Sequence, residues 1–199
     1  MHSGGLKEVP NPSESLLSGR PLGASGTCVT CVMEGSRPIL AELQALVTKT
    51  NANNPRRNFN GLNYNRSVLL LAVLEKRGGL RLGICDAYIN VVNGLELDEP
   101  GADLAAALAV ASSYTDRPIG EKTAAIGEVG LTGEIRSVSG MEQRLAEVRR
   151  LGFETCIVPR LKRDKLKLPE GLRIVEVRNI GEALAAAVGA RRDNTGEDQ

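Results

Sequence analysis

Two β-like runs near the start of the chain, Cys28 to Glu34 and Ile39 to Val47, are separated only by Gly35-Ser36-Arg37-Pro38. Alternation interrupted by a short Gly/Pro turn specifies a β-hairpin. Behind it, helical and strand patterns take turns. Tyr64 to Arg77 reads as a helix whose middle, Val68 to Leu74, is apolar on every side, the pattern of a buried helix; Gly78-Gly79 ends it. Ala87 to Val92 is a strand rich in Ile, Val and Tyr, and Pro100 to Ser113 is an Ala-rich helix starting close to its proline. Thr123 to Ile135 is strand material punctuated by Gly127, Gly130 and Gly133. Met141 to Leu151 is an amphipathic helix stopped by Gly152. Thr155 to Val158 and Arg173 to Val177 are strands, and Ile180 to Val188 is a closing helix. A hairpin followed by alternating helices and strands predicts one α/β (α+β) layer structure over residues 25–189. Residues 1–24, with Pro10, Pro12 and Pro21, read as an extended lead-in and linker. Residues 50–60, with Asn51, Asn53, Asn54, Pro55, Arg56 and Arg57, read as an irregular loop, and residues 190–199 as a disordered polar tail.

Composition narrows the function. Aromatics make up 3% of the 199 residues and Trp is absent, so the core must come from Leu, Val, Ile and Ala. Few rings remain to stack on exposed bases, which argues against a dedicated single-strand or RNA reader. A net charge of +1 gives no overall pull on a polyanion, so any basic surface must be local. No apolar run approaches the roughly 18–20 residues that span a bilayer, and Met1 to Gly5 lack signal-peptide features; the expectation is a cytoplasmic protein with no membrane partner. Cys28-Val29-Thr30-Cys31 has the spacing of a zinc or redox pair, but the other cysteines are isolated and His2 is the lone histidine. A tetrahedral site needs four ligands, so the pair is read as strand interior and no metal is expected. Gly120-Glu121-Lys122-Thr123 departs from a P-loop, and the glycines at 127, 130 and 133 match no dinucleotide fingerprint. Asp98, Glu99 and Asp103 are read as acids suited to a helix start rather than as metal ligands.

Several segments together resemble the RadA family of bacterial DNA-repair ATPases. They are Val9-Pro-Asn-Pro-Ser13, Gly61-Leu-Asn-Tyr-Asn-Arg66 running into Leu69 to Arg77, Asp98-Glu-Pro-Gly-Ala-Asp-Leu-Ala105, Gly127-Glu-Val-Gly-Leu-Thr-Gly-Glu-Ile-Arg136, Glu142-Gln-Arg-Leu145 and Cys156-Ile-Val-Pro-Arg160. The resemblance runs from about Leu6 to Val188. It implies the family's C-terminal domain, with a Lon proteolytic-domain-like (ribosomal protein S5 domain 2-like) fold that assembles into rings. It also implies that residues 1–24 link to an absent RecA-like ATPase domain. ATP, Mg²⁺ and zinc would then belong to upstream domains, with no cofactor in this fragment. Lon-type proteases use a Ser–Lys dyad in which the lysine must shed its proton to activate the serine. The stretch matching the serine is Pro100-Gly101-Ala102-Asp103 and that matching the lysine is Gly140-Met141-Glu142, so Gly101 and Glu142 stand at the dyad positions. No peptidase activity is expected. Ser112, Ser113 and Ser139 are read as caps or helix-face hydroxyls.

Charge supplies a different role. Between Arg144 and Lys167 eight basic residues face three acids, a local net charge of +5. Arg56, Arg57, Arg144, Arg149, Arg150, Arg160, Lys162 and Arg163 are the predicted DNA-contacting set, gripping phosphates without reading sequence. The family resemblance adds a homo-hexamer, which would repeat every patch six times, and a possible recombinase partner. Two rivals stay open: a working ATP-dependent serine protease domain, and a hexamerisation module that never touches DNA.

Overall fold

A computed structural model describes residues 17–51 and 53–189. The hairpin is β1 (Thr27–Glu34) and β2 (Arg37–Lys49), antiparallel, with Glu34 opposite Arg37. The turn is therefore only Gly35-Ser36, and Gly35 takes φ +60°, which a side chain would resist. Arg37 and Pro38, expected in the turn, open β2 instead. Part of the expected 50–60 loop is a strand, β3 (Arg57–Asn60), parallel to β4 (Cys85–Val91). Phe59 explains it: its ring packs against the core while Asn58 and Asn60 face out. Between them runs helix α1 (Tyr64–Lys76), whose cap Asn63 accepts the Arg66 N–H.

Pro100–Ala102 makes a short 3₁₀ turn into α2 (Asp103–Thr115). Next come β5 (Thr123–Ala125), the small hairpin β6 (Glu128–Val129) and β7 (Ile135–Arg136), α3 (Met141–Arg150), β8 (Thr155–Pro159), β9 (Arg173–Val177) and α4 (Ile180–Val188). The main sheet is ordered β3-β4-β2-β1-β5-β8-β9. It is mostly parallel, because every strand but β2 runs the same way. The architecture is mixed α/β.

Each sheet face carries its own core. Residues 104–111 of α2 are all buried, and they pack with Leu70, Leu71 and Leu74 of α1 and Ile180 and Ala183 of α4 on one face. Met141, Leu145 and Val148 of α3 cover the other, over Val29, Cys31, Ala124, Cys156 and Val158. Successive strand residues point to opposite faces, so Cys28 joins the first core and Cys31 the second. Burial pushes both thiols up to about 12. The α1 expectation needs correction. Val68 is 37% and Leu69 48% exposed, so the helix buries one side only and leaves an apolar strip in solvent. No helix among the described residues is long and apolar enough to cross a membrane. The expected tail at 190–199 and most of the lead-in lie outside the described residues.

Candidate functional site

Because the strands share a direction, the loops leaving β1, β4, β5, β8 and β9 gather along one sheet edge, where ligands of parallel sheets bind. Gly101 lies there, buried, its carbonyl accepting the Gly127 N–H at 3.0 Å and the Thr30 hydroxyl at 3.4 Å. A Cβ added to it would stand 2.5 Å from Glu99 Oε1 and 3.0 Å from Arg144 Nη1. The expected nucleophile position is thus filled by an ion pair. Arg144 donates through Nε to Ser139 O at 2.8 Å, through Nη1 to Cys31 O at 2.6 Å and to Glu99 Oε1, and through Nη2 to Glu99 Oε2 at 2.9 Å. Glu99 Oε2 also accepts the Met33 N–H at 3.2 Å.

This corrects one predicted DNA contact. Arg144 is 1% exposed with every nitrogen of its fork engaged, so it cannot reach a phosphate. A signal existed: it lies three residues from Met141 and one turn from Val148, on the stripe that packs inward. Glu142 faces elsewhere. It is exposed, and its Oε2 accepts the Lys167 N–H at 3.2 Å. Ser112 and Ser113 hold backbone groups: Ser112 Oγ accepts from Gly26 N and donates to Arg117 O, and Ser113 Oγ accepts from Val47 N.

The acids near α2 are divided among partners. Asp103 receives a two-pronged contact from Arg66 and the Val129 N–H. Burial raises its carboxyl above the ordinary range, and those donors only partly offset the effect. Glu99 serves Arg144, and Asp98 is exposed. Among the described residues, no group of three or more His, Cys, Asp or Glu could hold a metal. Zinc does not fit Cys28 and Cys31, which point to opposite faces of β1. Nor do ATP phosphates fit Gly120-Glu121-Lys122-Thr123, which leads into a strand rather than a helix, with Lys122 paired to Glu154.

The remaining predicted cations fall in three places. Arg160, Lys162 and Arg163 share the loop after β8, joined there by Lys165 and Lys167. Leu161, Leu166 and Leu168 turn inward onto the second core, and all five cations turn outward. Two carboxylates pin the loop: Glu176 of β9 accepts the Leu161 N–H at 3.1 Å and the Arg163 Nε at 3.3 Å, and Glu142 of α3 accepts the Lys167 N–H. Burial alone would raise Glu176, but the Leu161 N–H and the arginines outweigh it and hold the group below the ordinary range. Arg149 and Arg150 lie at the other sheet edge, where α3 leads into β8; Arg149 donates to Glu170 O and Arg150 pairs with Glu147. Arg56 and Arg57 also start a strand at that edge, but β3 is five strand spacings from β8, roughly 24 Å. Arg57 is committed to the carbonyls of Cys85, Leu82 and Arg56. The predicted set is therefore not one surface. Sequence reasoning missed Glu176, and it singled out Glu142 without its contact to the loop, because both acids stand apart from the loop in sequence.

Residues 87–162 match the family described as subunit ChlI of Mg-chelatase. Across 95% of its length the chain is 48% identical to DNA repair protein RadA of Bacillus subtilis (strain 168). Across 94% it is 50% identical to DNA repair protein RadA of Streptococcus pyogenes serotype M1, and 48% identical to that of Listeria monocytogenes serovar 1/2a. The chain is a homologue of part of RadA. It spans 41% of the length of these RadA relatives.

Proposed function

We propose that this chain is the C-terminal, Lon-like portion of a RadA-type DNA-repair ATPase, acting as a non-proteolytic scaffold that grips the DNA backbone. The observation that carries the reading is the loop after β8. Between Arg160 and Lys167 five cations accompany one acid, Asp164, a net charge of +4, and all five are exposed. Such a loop neutralises phosphates and releases counterions without reading bases. The filled pocket at Gly101 supports the non-proteolytic half. Arg144 is the cation there, and a guanidinium stays protonated and cannot act as a base. The parent protein would process branched recombination intermediates in the cytoplasm as a homo-hexamer, with a recombinase as candidate partner. ATP, Mg²⁺ and zinc would be held outside this portion.

Fluorescence polarisation with a labelled duplex tests this. Affinity should fall with a log–log salt slope of about −4 if four or five phosphates are engaged. Lys162→Glu with Lys165→Glu should weaken binding at least roughly tenfold and flatten that slope by about 2. Unchanged affinity in the double variant, or binding insensitive to salt, would overturn the reading. Cleavage of unfolded casein by the chain, lost on mutation of one of its own serines, would replace it with a protease.

A further inference from the structure

The loop after β8 forms no strand pair, and what orders it can be traced bond by bond. Inside it, Lys165 N donates to Lys162 O at 3.0 Å and Leu166 N to Arg163 O at 3.4 Å, a single tight turn. At its first end Glu176, from β9, takes the Leu161 N–H; at its far end Glu142, from the first turn of α3, takes the Lys167 N–H. Two acids from separate elements thus accept a backbone amide at either end of one cationic segment.

Resting on the proposed DNA contact, we infer that Glu142 is a positioning residue for the phosphate-gripping loop: at the place the Lon resemblance assigns to the protease lysine, its carboxylate fastens the loop's far end. The claim is separable from simple electrostatics because the two effects have opposite signs. On charge alone an acid bound at Lys167 repels phosphate, and removing it should tighten binding. As a fastener it holds the cations in register, so that less freedom is lost when DNA binds, and removing it should loosen binding.

Glu142→Ala and Glu142→Gln decide between them. Duplex affinity is read by fluorescence polarisation at low salt, and exchange of the Lys167 amide by NMR in the absence of DNA. Glu142→Ala is expected to bind about three- to tenfold more weakly although it loses a negative charge, with faster Lys167 exchange. Glu142→Gln keeps a carbonyl acceptor and should recover both. Equal or tighter binding by Glu142→Ala overturns the inference, as does a Lys167 exchange rate that no substitution changes. Should Lys162→Glu with Lys165→Glu bind like the unmodified chain, the DNA reading itself fails. The inference falls with it, even where the exchange data still report the fastening.

Discussion

At Gly101 the absence of a side chain makes room for the Glu99–Arg144 pair, and that pair completes a strand edge. β1 meets β5 only at Val29 opposite Ala124, so beyond it Cys31 O and Met33 N face no strand. These two groups flank Val32 and are the acceptor and donor that one residue of a parallel neighbour would satisfy. Arg144 supplies the donor and Glu99 the acceptor. A serine at 101 would drive its Cβ to 2.5 Å from Glu99 Oε1, and Glu99 cannot swing away without leaving a buried guanidinium short of its counter-charge. Breaking such a pair is costly, so Gly101→Ser should lose about 2–4 kcal/mol of unfolding free energy in urea. A loss below about 0.5 kcal/mol would mean the pocket is more yielding than described. Reinstating both dyad residues, serine at 101 and lysine at 142, should not restore labelling by a fluorophosphonate, because Arg144 still fills the reaction centre.

Among the elements, α1 shows how far periodicity carries. Its existence and bounds follow from the apolar run and Gly78-Gly79, but an uninterrupted run cannot say which side faces water. The structure buries Leu70 at 5% and leaves Leu69 at 48%. Leu70→Ala should therefore cost about 2–4 kcal/mol, whereas Leu69→Gln should change thermal stability by less than about 0.5 kcal/mol. Similar losses at both positions would mean that Leu69 is covered in solution. The hairpin, α2, α3, β8, β9 and α4 were legible as α1 was, from apolar runs or periods bounded by Gly and Pro. β3 was not, because a four-residue strand with one apolar residue, Phe59, has no period to read. For the site, the cations were visible as composition, but their grouping depends on strand order. Only the strand order shows that Arg56 and Arg57, beside β3, stand five strands away from β8 and the cations that flank it.

Across the whole molecule the four cysteines sample the sheet at different depths, and their chemistry tests whether it opens as one unit. Cys28 and Cys31, on the central strand β1, and Cys156, on β8 beneath α3, are all fully buried. Cys85 begins β4, next to the four-residue edge strand β3, with 5% exposure and its thiol donating to Arg81 O. Burial raises Cys28 and Cys31 to about 12 and lifts Cys156 well above the ordinary thiol range. At pH 8 these thiols are neither ionised nor accessible, so alkylation must wait for unfolding. Iodoacetamide followed by mass spectrometry should modify Cys85 first, through local fraying of β3 from β4, and the other three together at the rate of global unfolding. The same shifts carry a pH signature. A thiol whose folded pKa lies above its unfolded value adds nothing adverse below the unfolded value, and its stabilising share is lost as pH climbs through the window above it. Stability should therefore hold through neutral pH and decline between about 9 and 12. Early modification of Cys31 or Cys156 under native conditions would show that the second core opens on its own. In that case α3, which carries both Arg144 and Glu142, would detach as a unit from the sheet and take the fastening of the cationic loop with it.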